Sequence, residues 1–119
     1  NHNVQQIACD KWNAASLMTQ LYQEGIPVTG YSQGFSALSS PCKRLETLVA
    51  SGKLRHGGNP VLAWQSDNAV TIEDANQNIR VSKKHSSEKV DGIVALAMAI
   101  GVLDTAEAQL EQNYDIFII

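Results

Sequence analysis

Short apolar runs and helically spaced apolar residues alternate along the first quarter of the chain. Residues 4–9 form an apolar-rich run that predicts a strand, and residues 12–24 carry apolar side chains at helical spacing up to Gly25. Residues 26–31 predict a second strand, in which Pro27 favours an edge position or a strand end. A strand, a helix and a second strand in this order predict an α/β layered domain.

The middle of the chain predicts two more helices and a hairpin. Residues 32–40 are rich in Gly and Ser and predict a loop, after which Pro41 suits the first position of a helix that is capped by Ser40 and ended by Gly52. The remaining elements of this region are a helix that opens at Asn59-Pro60 and runs to about Asn68, and a hairpin of strands 70–72 and 79–81.

A long apolar stretch near the end of the chain predicts the main core helix. We expect it to start near Ser86 or Ser87 and to run at least to Ile100, with Gly101 as a candidate break. A further helical stretch is predicted at 105–110, and the apolar tail at 114–119 fits a strand or a docking segment. The longest apolar run covers only eight residues, which is too short to span a bilayer, so we expect no membrane partner.

Composition narrows the class of protein. The chain has 119 residues, of which 44% are hydrophobic, and this fits one domain with a real core, or part of one. It begins without Met or a basic leader, so we expect a fragment or a processed product. The net charge of −3 argues against a protein that coats nucleic acid. Cys9 and Cys42 lack metal-ligand spacing and favour a reducing cytoplasm.

Two aspartates are the candidate chemical groups. Asp10 follows the first strand, at the sheet edge where sites collect in α/β proteins. Asp91 opens the apolar helix and shares a helical face with Ala95, Met98 and Val102, so its carboxylate is expected along an apolar face and needs a partner. A shared Mg²⁺ or Mn²⁺ ion is one such partner. The alternatives are a turn or capping role for Asp10 and a helix-stabilising role for Asp91.

Further charged residues precede Asp91. Glu88 lies three residues earlier, so we expect it on the same side of the helix start, either as a third metal ligand or as a solvated acid. A basic cluster beside these acids suits a phosphate backbone, although an ordinary solvated face is an equal alternative. Its members are Arg80, Lys83, Lys84, His85 and Lys89.

Several separate islands of sequence carry a family resemblance when they are taken in order. The main islands are residues 56–64 (HGGNPVLAW) with Asn68, residues 88–96 (EKVDGIVAL), residues 10–14 (DKWNA), residues 33–34 (QG) and residues 45–49 (LETLV). Together they resemble the C-terminal nuclease domain of tailed-phage terminase large subunits. The resemblance covers roughly residues 7–101, and its specificity comes from the order of the islands.

The resemblance implies a ribonuclease H-like mixed sheet flanked by helices, with residues 1–119 as the C-terminal part of that nuclease domain. Such nucleases hold two Mg²⁺ or Mn²⁺ ions on three acidic positions. Asp10 and Asp91 match two of these positions, while the first acid and the preceding ATPase motor have no counterpart here. We therefore expect a sheet that is incomplete at its N-terminal strands, and little cutting by this chain alone.

The implied function is metal-dependent cutting of concatemeric viral DNA during packaging, in the cytoplasm of a bacterial host. The implied partners are double-stranded DNA, the portal, the small terminase subunit and another copy of the chain. One alternative is another ribonuclease H-like enzyme of the resolvase or transposase type. A second is a non-catalytic prophage remnant that binds packaging partners.

Overall fold

The elements of the fold follow the predicted order. The computed structural model describes the backbone of residues 3–12 and 14–118, and the side chains of residues 3–12 and 14–106. The elements are β1 (Ile7–Asp10), α1 (Ala15–Gln23), β2 (Val28–Tyr31), α2 (Phe35–Ala50), α3 (Pro60–Asn68), β3 (Thr71–Glu73), β4 (Ile79–Val81) and α4 (Asp91–Ile118). The α/β class is therefore confirmed.

The described strands form two small sheets. β1 pairs in parallel with β2, with Asp10 opposite Tyr31, and β3 pairs antiparallel with β4, as the predicted hairpin requires. Helix α1 makes the crossover between β1 and β2 that a parallel pair needs. The parallel and antiparallel pairs are thus separate sheets in the described part of the chain, and they do not join into one mixed sheet.

Helix α1 starts later than its apolar spacing predicts. Asp10 forms a turn in which its Oδ1 accepts a hydrogen bond from the Trp12 N–H at 3.0 Å and its carbonyl accepts one from the Ala14 N–H at 3.0 Å. This turn occupies residues that were assigned to the helix, because an aspartate side chain competes with helical backbone bonding. Asn13 lies outside the described residues.

Helix α2 begins at Phe35, so the predicted loop at 32–40 is right only for residues 32–34 and the predicted start at Pro41 is wrong. Pro41 lies inside the helix, where it cannot donate to the carbonyl of Ala37. The Tyr31 hydroxyl donates to that carbonyl instead, at 2.7 Å. A donor from β2 therefore satisfies the group that proline leaves unpaired, and the helix continues through it.

Helix α4 also differs from its prediction at both ends. It begins at Asp91, because Ser86 accepts a hydrogen bond from the Val70 N–H and is held in a loop instead of capping a helix. It also runs unbroken through Gly101, where an added Cβ would overlap the hydroxyl of Tyr31. Gly101 therefore provides space for Tyr31 and does not end the helix. The helix extends to Ile118, so a strand over 114–118 is wrong, and residue 119 lies outside the description.

The core lies where α2, α4 and β4 meet. Its buried apolar members are Leu38, Cys42, Leu45, Val81, Val90, Ile93, Val94, Ala97, Met98 and Ile100. Five of these belong to α4, and their burial gives the helix the packing that holds its N-terminus in place. No helix in the described part of the chain is long and apolar enough to cross a bilayer.

Candidate metal and DNA site

Asp10 ends β1, where it was expected, and its side chain is half-buried. One carboxylate oxygen accepts the Trp12 N–H at 3.0 Å, which is the turn role that the sequence left open. Gly30 lets the chain after Asp10 pass closely over β2, since a Cβ there would lie 2.8 Å from the Cβ of Lys11. Asp10 is thus held by the turn that leaves β1 for α1.

Asp91 is the first residue of α4 and does not lie along an apolar face as expected. Its side chain is 68% exposed, and its Oδ1 lies 3.4 Å from the Nζ of Lys83. The expectation failed because Ala95, one turn later, is also exposed, and burial on this face begins only at Met98. The carboxylate is therefore accessible to solvent, at a helix N-terminus that favours negative charge.

Glu88 lies in the loop before α4 and not on the helix itself, since the helix starts three residues later. It nevertheless lines the same cavity of about 260 Å³ as Asp91. Lys83, Ser86 and Lys89 complete the polar wall of this cavity, which we call the acidic cavity because it holds both carboxylates. Glu88 and Asp91 thus line the same cavity, although Glu88 reaches it from a loop and not from the helix as predicted.

The other basic residues surround a neighbouring cavity of about 370 Å³, which we call the basic cavity. Its charged or titratable lining consists of Arg80, Lys83, Lys84 and His85. The Nδ1 of His85 lies 2.9 Å from the hydroxyl of Ser82, which fixes the ring at the rim. Lys83 lines both cavities. Of the predicted basic cluster, only Lys89 belongs to the acidic cavity alone.

Arg80 differs from the lysines because its side chain is fixed by the fold. Its Nη1 donates to the carbonyl of Gln33 at 3.1 Å, and its guanidinium carbon lies 4.4 Å from the centroid of the Phe35 ring. Its Nε is buried without a hydrogen-bond partner among the described residues. Arg80 therefore has a structural role that the sequence did not reveal, in addition to lining the basic cavity.

Helix α3 holds the start of α4 in position. Gln65 accepts the Gly92 N–H through its Oε1 at 2.6 Å, and the buried Asn68 donates through its Nδ2 to the carbonyl of Lys89 at 3.0 Å. Asn59 caps α3 by accepting from the N–H groups of Val61 and Leu62. Gln65 was not singled out from the sequence, and Asn68 was named only as a helix end and as part of the family resemblance.

The carboxylates are not all brought to one place. Asp10 lines neither cavity, although β1 packs against α4. Within residues 3–12 and 14–106, no three His, Cys, Asp or Glu side chains are placed to bind one ion. Glu88 and Asp91 place carboxylate oxygens at one solvated opening, and such oxygens are the donor type that Mg²⁺ and Mn²⁺ prefer.

Comparison with known proteins decides the family. A sequence model of the family described as "Terminase large subunit, endonuclease domain" matches residues 1–107. The chain belongs to this family. As a terminase nuclease domain, it is 30% identical over 114 residues to the terminase large subunit of Enterobacteria phage HK97, a match that covers 94% of this chain and 23% of that protein. It is also 34% identical over 94 residues to Protein YmfN of Escherichia coli (strain K12), covering 77% of this chain and 21% of that protein.

The fold leads to the same family. The crystal structure of the HK97 bacteriophage large terminase matches this terminase nuclease domain with a TM-score of 0.77 and 30% sequence identity. The match covers 84% of this chain and 21% of that one. The chain thus spans less than a quarter of the length of the relatives it matches.

Proposed function

We propose that this domain is the DNA-cutting part of a terminase large subunit and that it works with divalent metal ions. The single observation that carries the proposal is the position of Asp91, an exposed carboxylate at the N-terminus of α4 that shares a cavity with Glu88 in a member of the terminase endonuclease family. The proposed substrate is concatemeric viral double-stranded DNA, cut during packaging.

The proposed metal ligands are Asp10 and Asp91, with Glu88 as a further candidate. Carboxylate oxygens are the donors that Mg²⁺ and Mn²⁺ prefer, and the buried side of α4 keeps Asp91 at a fixed place. When bound, a pair of such ions activates a water and stabilises the leaving oxygen in phosphodiester hydrolysis. The protein contributes rigid placement, through Gln65 and Asn68, of the segment that carries Glu88 and Asp91.

The basic residues are proposed to hold the DNA backbone beside these carboxylates. Lys83, Lys84 and His85 are exposed around the basic cavity, and Lys89 is exposed at the acidic one. Such cations neutralise phosphate charge without reading bases, so we expect cutting with little sequence preference and a strong dependence on salt.

The partners and setting follow from the proposed role in packaging. We propose that the protein carrying this domain works with a portal and a small terminase subunit in the cytoplasm of a bacterial host, and that it assembles with other copies of itself. The similarity to the HK97 terminase large subunit supports this role. Residues 1–119 are proposed to form the C-terminal part of the nuclease domain.

A plasmid-nicking assay tests the proposal. With Mn²⁺, the protein in its full native length should cut supercoiled DNA, and Asp91→Asn should reduce the rate by at least about a hundredfold. Asp10→Asn should reduce the cutting rate by a similar factor. Asparagine keeps an oxygen that can accept the Trp12 N–H, so the turn at Asp10 should survive. A loss of cutting in this variant would therefore reflect the lost metal ligand and not a lost turn. Glu24→Gln, an exposed acid at the end of α1, is the matched control and should cut normally.

Two results would count against the proposal. Full cutting by Asp91→Asn would remove Asp91 from the chemistry, and full cutting by Asp10→Asn would leave Asp10 with its turn role only. The 119-residue chain tested by itself is expected to cut weakly, because it matches only two of the three acidic positions that the family resemblance implies. Robust cutting by that chain, abolished by Asp91→Ala, would contradict this expectation.

A further inference from the structure

The basic cavity has a charge that the chain as a whole does not have. The chain carries a net charge of −3, yet the residues lining this cavity include Arg80, Lys83 and Lys84 and no Asp or Glu. Low-dielectric walls concentrate the field of such cations, and here buried Leu38 and Val94 form part of the wall. The cavity is therefore a local positive site in an acidic protein.

Arg80 is the cation of this cavity whose position is fixed by the fold. The guanidinium is held against the ring of Phe35 and bonded to the Gln33 carbonyl, so it loses little freedom when it binds a ligand. No carboxylate forms an ion pair with it among the side chains that the structure describes. A half-buried cation without an anionic partner is costly, and a bound anion would offset that cost.

We propose that the basic cavity is a phosphate-binding pocket that takes one phosphodiester group of the DNA strand, with Arg80 as its fixed cationic wall. The DNA assignment rests on the proposed nuclease function, whereas the anion site itself does not. A volume of about 370 Å³ lies in the range of small-ligand pockets and leaves room for a phosphate with part of its sugar. A planar guanidinium can donate two parallel hydrogen bonds to phosphate oxygens.

Lys83 links this pocket to the proposed cutting site. Lys83 lines both cavities, and its Nζ lies 3.4 Å from the Oδ1 of Asp91. A phosphate in the basic cavity would therefore lie one side chain away from the metal-binding carboxylate. The pocket would then fix the position of the strand along the site, a task that the exposed lysines cannot perform by charge alone.

Nuclear magnetic resonance on arginine-selectively ¹⁵N-labelled protein of full native length tests the pocket directly. Titration with inorganic phosphate, without metal, should shift the Nε–Hε signal of Arg80 and leave that of the exposed Arg55 unchanged. Lys84→Gln should weaken this phosphate binding about two- to fivefold, as expected for one exposed charge. Lys53→Gln removes an exposed lysine outside the cavity and should have no effect.

A duplex oligonucleotide forms the second arm and distinguishes the source of the phosphate. DNA should shift the same Arg80 signal, and inorganic phosphate should compete with it. Phosphate binding without any DNA effect on Arg80 would overturn the DNA assignment and leave a site for the free anion. No shift of Arg80 with either ligand would overturn the pocket.

Two further variants separate the pocket from the cutting chemistry and from folding. Asp91→Asn should abolish cutting but keep the shift of the Arg80 Nε–Hε signal on phosphate addition. Loss of that shift would count against the pocket, whereas unchanged cutting would count against the nuclease proposal. Arg80→Lys keeps the charge but loses the planar fork. In uniformly ¹⁵N-labelled protein it should weaken phosphate binding by about tenfold, as read from the backbone amides of Ser82 and His85. If Arg80→Lys fails to fold, the Lys84→Gln titration alone decides, and unchanged phosphate binding in that variant would overturn the proposal.

Discussion

The hydroxyl of Tyr31 donates a hydrogen bond to the carbonyl of Ala37 at 2.7 Å. In an uninterrupted helix, residue 41 would donate to that carbonyl, but residue 41 is a proline and has no N–H. The same tyrosine ring passes over Gly101 of α4. One side chain from β2 thus satisfies a defect in α2 and packs against α4, the helix that begins with Asp91.

Tyr31→Phe should destabilise the domain by about 1–2 kcal/mol, because it leaves the Ala37 carbonyl partly buried without a donor. Urea unfolding followed by circular dichroism measures this change. Pro41→Ala restores the missing N–H, so the cost of Tyr31→Phe should fall well below 1 kcal/mol in a Pro41→Ala background. Equal costs in the two backgrounds would show that the tyrosine does not replace the proline's donor.

Gly101→Ala should destabilise the domain by about 1–3 kcal/mol, although this change normally stabilises a helix by about 1 kcal/mol. The reason is that the new Cβ would overlap the Tyr31 hydroxyl and ring. Thermal unfolding of Gly101→Ala alone and together with Tyr31→Ala checks the cause. In the double variant the clash is gone, so the alanine should become neutral or stabilising, and a persistent loss would contradict the packing argument.

Local patterns in the sequence predicted the elements better than their boundaries. The first two strands, the hairpin and the core helix were all predicted from apolar spacing, because these elements bury an apolar face. The parallel pairing of the first two strands was not predicted. The start of α2 was missed because the helix continues through Pro41 only with the hydrogen bond that the Tyr31 hydroxyl donates. The break at Gly101 was wrong because Gly101 makes space for the same tyrosine. A tertiary contact of this kind leaves no sign in the local spacing of residues.

For the candidate site, the sequence suggested residues but did not predict where the fold places them. Sequence spacing placed Glu88 on the helix and Asp91 on an apolar face, whereas the structure places Glu88 in a loop and exposes Asp91. The loop forms because Asn68 and Ser86 bond to residues distant in the chain. The structural role of Arg80 was likewise not predictable from local sequence, because its contacts with Gln33 and Phe35 join β4 to the start of α2.

If Asp91 binds metal as proposed, Lys83→Gln should tighten Mn²⁺ binding about two- to fivefold in isothermal titration calorimetry, because the Lys83 ammonium would compete with the ion for the Asp91 carboxylate. The gain is modest because the ion pair is exposed and screened. Lys89→Gln removes the same charge from the same cavity without breaking an observed ion pair, and should have a smaller effect. Equal effects of the two variants would show that general charge, and not the Lys83–Asp91 pair, controls metal affinity.

Burial raises the pKa of the Cys42 thiol, opposed in part by the hydrogen bond from the Val81 N–H. The unfolded chain loses this proton near the ordinary value of 9.0 while the folded chain retains it, so the contribution to stability is full below that pH and falls as the pH rises above it. Urea titrations between about pH 7 and pH 10 should show a decline of at most about 1.4 kcal/mol per pH unit from this group.

Cys42→Ala should flatten that alkaline decline relative to the unsubstituted protein. Burial also raises the pKa of Tyr31, so a second decline is expected at still higher pH, in the range where free tyrosine ionises. An unchanged alkaline slope in Cys42→Ala would show that the thiol does not control it.

Asp10 and Asp91 are proposed to hold shared metal ions, and a crystal of the full native-length protein soaked in Mn²⁺ tests this most directly. We predict an anomalous peak within about 2.1–2.3 Å of a carboxylate oxygen of each aspartate, from one ion or from two adjacent ions. A peak bound by Glu88 and Asp91 alone, with the Asp10 carboxylate bonded only within its own turn, would contradict the claim.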